Sequence, residues 1–203
     1  MIDAINSLAR RVPAWLVYLA GLVPPVWLFV LALNGQLGVD PVKALEHEMG
    51  KLGLQLIIAG LCISPLRRFV GLSLIKFRRA IGLVAFFYIV LHFATWLALD
   101  MGLRLDEALH DILRRPYVTA GMVGLAGLIP LAITSNNWSV RRLGPVRWQK
   151  LHWLTYVVAL AGGIHYVWLV KTWTLESLMY LAVILGLLAL RIVKIRKRMH
   201  AAA

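Results

Sequence analysis

The chain alternates long apolar runs with short polar ones. Six runs are long enough to cross a hydrocarbon core as helices, which takes ~20 apolar residues each. They lie at roughly 13–33, 49–66, 80–99, 117–134, 150–170 and 174–193. Period-two alternation is absent, so the pattern predicts an all-α membrane protein, a six-transmembrane-helix bundle, and not an outer-membrane barrel. Pro24 and Pro25 predict a kink in the first span, and Pro130 predicts a bend or an end in the fourth. The first run is too long for the apolar core of a cleaved leader, and no A-x-A site follows it, so it reads as a retained span. With no repeat, low-complexity segment or linker, residues 1–203 are expected to form a single transmembrane domain.

Charge sets the expected direction of the bundle. Arg10, Arg11, Arg67, Arg68, Lys76, Arg78, Arg79, Arg141, Arg142, Arg147, Lys150, Arg191, Lys194, Arg196, Lys197 and Arg198 all fall on one side of the six runs, with Asp3 as the only acid. The opposite side holds Asp40, Glu46, Glu48, Asp100, Asp106, Glu107, Asp111 and Glu176. The excess of Lys and Arg marks the cytoplasmic face, which places both termini in the cytoplasm. The net charge of +13 therefore needs no nucleic acid as partner; membrane lipid is the expected surrounding. Trp15, Trp138, Trp148 and Trp173 fall near span ends, where interface aromatics belong.

Composition agrees, at 61% hydrophobic residues and a mean hydropathy of +0.77. The single cysteine, Cys62, excludes an internal disulfide and any multi-thiolate metal site, and reads as a small buried hydrophobe.

Six histidines sort by depth. His200 lies in the basic tail, His110 in an outer loop and His47 near the outer start of the second run. At about 1.5 Å per residue, His92 sits ~20 Å along the third run from the cytoplasmic side, and His165 ~22 Å along the fifth. His152 is only ~3 Å along that fifth run, at the cytoplasmic rim. His152 and His165 cannot share one metal, because 13 residues separate them by ~20 Å and a rotation of about 140°. His92 and His165 can, from different helices at a common level.

Two imidazoles facing each other inside a bilayer suit a haem iron, whose fifth and sixth positions they fill in favour of electron transfer. Phe86, Phe87, Tyr88, Phe93 and Trp96 on one helix, and Tyr166 and Trp168 on the other, would flank a porphyrin. Zinc would need further ligands, and no carboxylate or thiol falls in this layer. The bland alternative is that each histidine hydrogen-bonds a neighbouring helix and binds nothing. Gly121, Gly124 and Gly127 allow close approach of a helix or of a flat cofactor, and Gly162-Gly163 is expected to leave space beside His165.

Seven stretches, read in order, carry a resemblance: SPLRR (64–68), RRAIGL (78–83), FFYIVLHF (86–93), RPYVTAGM (115–122), LAITSNNWSVRRLG (131–144), RWQKLHWLTY (147–156) and HYVWLVK (165–171). Together they resemble the MsrQ family, the haem-binding membrane subunits of the bacterial periplasmic methionine-sulfoxide reductase system, within the wider ferric-reductase-like transmembrane group. The resemblance implies a multi-pass protein of the bacterial inner membrane that takes electrons from the quinone pool. It passes them to a periplasmic molybdopterin-containing methionine-sulfoxide reductase, where the catalysis resides. It also implies haem b, an association with FMN, and possible supply by a cytosolic flavin reductase.

The family's functional histidines fall on His92, His152 and His165. Relatives with two stacked haems carry another histidine about fourteen residues before the first, where this chain has Arg78. A second haem on His152 would then need a non-histidine partner or water; alternatively His152 could hydrogen-bond a quinone or flavin, with Arg78 or Arg79 on its anionic groups. Two rivals stand beside this reading. One is a self-contained ferric- or oxygen-reducing haem protein, which would have to borrow a flavoprotein because no dinucleotide fingerprint is present. The other is a transporter or passive anchor, for which Gln55 is the most polar candidate in a span.

Overall fold

A computed structural model describes residues 2–170 and 172–200, with the backbone alone for 192–200. Lys171 and the side chains of Lys194, Arg196, Lys197, Arg198 and His200 therefore lie outside the described residues. No strand occurs among the described residues. The helices are α1 (Ile2–Arg11), α2 (Trp15–Leu33), α3 (Pro41–Pro65), α4 (Arg78–Thr95), α5 (Leu105–Arg114), α6 (Pro116–Ile133), α7 (Asn137–Leu143), α8 (Pro145–Leu151), α9 (Leu154–Leu169) and α10 (Leu175–His200). Among the described residues, four helices are long and apolar enough to cross a membrane: α2, α3 and α4 (the last two with their terminal turns), and α6.

Local chemistry explains the boundaries. Asp40 caps α3 by accepting from the Lys43 N–H at 3.0 Å, with Pro41 in the first turn. That start lies eight residues before the expected 49, because the first turns of α3 are charged rather than apolar. α3 ends in a π turn, Leu66–Val70, closed by Gly71 at φ +80°, a conformation that costs glycine nothing. α2 and α6 run through Pro24, Pro25 and Pro130 as continuous helices. The expected fifth span is divided: α8 stops at Leu151, His152 and Trp153 form a tight turn, and α9 has 16 residues. The Trp153 N–H bonds the Lys150 carbonyl at 3.1 Å, and the Thr155 N–H bonds that of His152 at 3.3 Å, three residues back rather than four. α1 and α5, both amphipathic, form where polar segments were expected.

α3 packs on α4, α6 on α9, and α10 on both α9 and α3. The centre is apolar, built from Leu54, Ile57, Leu61, Ala85, Leu128, Val158 and Ile184. α2 lies outside, packing Val17 and Leu28 on a cluster of Leu45, Met49, Val84 and Tyr88, while Leu19, Val23, Val26 and Trp27 are exposed for lipid to cover. In lipid such packing is driven by close contact, so small residues mark the seams. A Cβ on Gly127 would lie 2.7 Å from Val158, which fixes the α6–α9 approach. Of the pair expected to leave space beside His165, Gly162 does line a cavity with that residue, but Gly163 does not. A Cβ there would lie 2.9 Å from Ile184, so the glycine admits α10.

Candidate functional site

His92 sits in the last turn of α4, and His165 near the end of α9. Their ring centroids are 6.0 Å apart, with planes at 73°. The His92 Nδ1 donates to the Glu46 carbonyl of α3 at 2.8 Å, and the His165 Nδ1 donates to the Tyr117 carbonyl of α6 at 2.6 Å. A carbonyl can only accept, so both rings carry their proton on Nδ1. Each Nε2 is left unprotonated, with no hydrogen-bond partner among the described residues.

The two imidazoles line a cavity closed below by Leu54, Ile57, Leu128 and Val158, and rimmed above by Lys43, Lys51, Asp100 and Arg115. At that rim Lys43 bonds Asp100 at 2.5 Å, Lys51 pairs with Glu176 at 2.7 Å, and Arg115 pairs with Asp111 at 3.2 Å. Glu46 is buried, and its Oε2 has no hydrogen-bond partner, although the Lys43 ammonium lies 3.8 Å away. His47 is exposed at this rim, and His110 is exposed on α5.

This arrangement fits an iron porphyrin at its metal. Two iron–nitrogen bonds of ~2 Å, each followed by ~1.1 Å to the ring centre, would set the centroids ~6 Å apart. The Nδ1 bonds hold the tautomer that such ligation needs. The cavity measures about 160 Å³, below the ~300 Å³ of sites that enclose drug-sized ligands, so a porphyrin would need more room than it now holds. Among the expected aromatic neighbours, Phe93, Trp96 and Tyr166 line this cavity. Phe87 and Trp168 are instead exposed, and Tyr88 packs in the α2–α3–α4 core.

His152 belongs to a second cavity of about 670 Å³, on the other side of Ile57, Leu128 and Val158. Its walls include Arg78, Arg79, Ser135, Trp148, Tyr156 and Arg191. The Thr134 hydroxyl donates to the Pro130 carbonyl at 2.6 Å, so its oxygen accepts from the His152 Nε2 at 3.1 Å. His152 thus carries its proton on Nε2, the reverse of the other pair. Trp148 is no exposed interface residue: its ring stacks on His152 at 3.8 Å, and its Nε1 donates to the Thr134 carbonyl at 2.8 Å. Arg78 bonds the Ser64 hydroxyl, Arg79 bonds Asn137 at 2.8 Å, and Arg191 bonds the Tyr156 hydroxyl at 3.2 Å. Gln55, the polar residue of α3, is satisfied by the Tyr180 hydroxyl at 2.6 Å.

Sequence reasoning missed the Glu46 and Tyr117 carbonyls and Gly50; it singled out Gly121, but as a close-packing position rather than as the neighbour of His165. A Cβ on Gly50 would lie 3.0 Å from the His92 Nδ1, and one on Gly121 would lie 2.9 Å from the His165 Nδ1. The signal was present as a spacing, since each residue with the accepting carbonyl stands four positions before its glycine, 46 before 50 and 117 before 121.

Comparison with known proteins adds a further finding. Residues 48–163 match the family described as the ferric reductase like transmembrane component. The chain is also 47% identical over 180 residues to the protein-methionine-sulfoxide reductase heme-binding subunit MsrQ of Brucella ovis, covering 89% of this chain and 81% of that protein. The proteins of the same name from Brucella canis and Brucella suis match to the same extent.

Proposed function

Because the chain belongs to the ferric-reductase-like transmembrane family, as one of its MsrQ haem-binding subunits, we propose that it is an electron-transfer subunit of a methionine-sulfoxide reductase system. It takes electrons from the quinone pool and delivers them across the bacterial inner membrane to a periplasmic molybdopterin enzyme, which reduces methionine sulfoxide in oxidised proteins. The observation that carries this reading is the facing pair His92 and His165, each with Nδ1 on a backbone carbonyl and Nε2 free.

A haem b held there supplies a one-electron carrier cycling between ferric and ferrous iron. The chain's own residues do the rest. His92 and His165 would hold the haem through Nε2, one from α4 and one from α9, and two imidazole ligands would favour electron transfer over binding an exogenous ligand. The Glu46 and Tyr117 carbonyls hold the ring orientations. Leu54, Ile57, Leu128 and Val158 keep water from the inner edge of the site. Lys43, Lys51 and Arg115 are the cations available to propionate groups at the rim.

Six crossings complete the reading, with α9 and α10 as the fifth and sixth and both termini cytoplasmic, supported by the separation of basic and acidic loops. Electrons then enter at the His152 cavity, whose volume and arginines suit an anionic or quinone-like planar group: a quinol, an FMN supplied by a cytosolic flavin reductase, or a second haem.

An absorption spectrum of the purified protein, expressed with sufficient haem, tests the proposal. Reduced b-type bands are expected, with reduction by a quinol or by NADH with a flavin reductase. A colourless protein, or a haem that neither donor reduces, would overturn it.

A further inference from the structure

In an α-helix the carbonyl of residue i already accepts from the N–H of residue i+4. Its second lone pair is open to another donor only if the neighbouring side chains leave room. The Glu46 carbonyl lies one turn before Gly50, and the Tyr117 carbonyl one turn before Gly121. Each carbonyl takes an imidazole Nδ1–H from the facing helix, at 2.8 Å and 2.6 Å. At each glycine a Cβ would press on that same imidazole, within 3.0 Å of Nδ1 and 3.1 Å of Cε1 at Gly50, and 2.9 Å and 3.1 Å at Gly121. Contacts this short with a ring held between two helices cannot be relieved by rotating a flexible tip.

We propose that Gly50 and Gly121 are positioning residues for the two imidazoles. Each holds a helix-interior carbonyl open to a histidine Nδ1–H and thereby directs Nε2 into the shared gap. The same clamp is built twice, on α3 against α4 and on α6 against α9. Its electronic consequence follows from the bond. A Nδ1–H given to a carbonyl makes the imidazole a stronger donor through Nε2, which favours ferric over ferrous iron and lowers the reduction potential. The inference rests on the haem reading above, and its test separates the two.

The experiment compares Gly50→Ala, Gly121→Ala and Gly186→Ala with the unmutated full-length protein in detergent. Gly186 faces open space and serves as the control. The readouts are haem affinity of the apoprotein by titration, and midpoint potential by optical titration. Gly50→Ala and Gly121→Ala are expected to bind haem ~10–100-fold more weakly, or to retain it at a higher potential, while Gly186→Ala matches the unmutated protein. Infrared difference spectroscopy on reduction of the unmutated protein covers the case in which the alanine variants fail to fold. Its imidazole ring bands should report both Nδ1–H groups as bonded to carbonyls. If Gly50→Ala and Gly121→Ala keep the normal affinity and potential, or if the bands report free Nδ1–H, the clamp proposal falls while the haem reading stands. If the unmutated protein takes up no haem, both fall.

Discussion

Lys43 joins Asp100 at 2.5 Å, tying the first turn of α3 to the π turn Trp96–Asp100 that follows α4, across the mouth of the outer cavity. The buried Glu46 Oε2 lies 3.8 Å from the same ammonium without a hydrogen bond. One cation therefore serves two carboxylates, and the two sides of this contact differ in cost. Asp100→Ala should destabilise by about 1 kcal/mol or less, because Lys43 keeps Glu46 and the pair is partly exposed. Lys43→Met should cost more, about 2–3 kcal/mol, because it leaves a buried carboxylate unpaired beside a second one. Thermal unfolding of both variants in one detergent measures the difference, and equal losses would contradict it.

His92→Ala and His165→Ala should each lower haem content at least ~10-fold, since each removes one of the two proposed iron ligands. His47→Ala, at the exposed rim, and His110→Ala, on the outer face of α5, should leave the spectrum unchanged. Pyridine haemochrome assay on purified proteins reads the result. Retention of the b-type bands in both site variants would remove the pair from the iron.

His152→Ala should leave the haem proposed between His92 and His165 spectrally intact, because the two sites are separated by Ile57, Leu128 and Val158. Electron entry should slow by a factor on the order of 10. Thr134→Val should act in the same direction and more weakly, by freeing the His152 Nε2 from its only hydrogen-bond partner among the described residues. Stopped-flow reduction by a quinol, and by NADH with a flavin reductase, distinguishes these variants. An unchanged rate for His152→Ala with both donors would exclude it from the entry route.

Much of the architecture was legible because helix rise is a fixed quantity. Counting from the basic loops was enough to put His92 and His165 at one level, and the structure brings their rings to 6.0 Å. The start of α3 was not legible from hydropathy, because Lys43, Glu46, Glu48 and Lys51 interrupt the apolar run there. Those charges are helical since they pair outward, Lys43 with Asp100 and Lys51 with Glu176, residues 57 and 125 positions away. The turn at His152 contains neither glycine nor proline and left no mark in the sequence. α5 did leave one, in the helical spacing of Leu105, Leu109, Ile112 and Leu113, within a segment otherwise rich in acids. The role of Gly50 depends on what faces it, a relationship no single helix contains.

The proposed direction of the bundle makes a labelling prediction. Asp106→Cys on α5 should react with a membrane-impermeant maleimide added to intact spheroplasts, and Arg141→Cys on α7 should react only after lysis. Both are built on a Cys62→Ser background to remove the native thiol. The opposite pattern would invert the orientation and displace the proposed entry and exit sites with it.

Ile57, Leu128 and Val158 form the wall shared by the two cavities, and all three are buried and apolar. On the electron-carrier reading, this single layer of hydrocarbon behaves as a selective insulator. An electron can tunnel through it between carriers on either side, whereas a proton or a hydrated ion finds no polar group to step onto. The protein would then conduct current across the membrane without leaking away the gradient that the respiratory chain maintains.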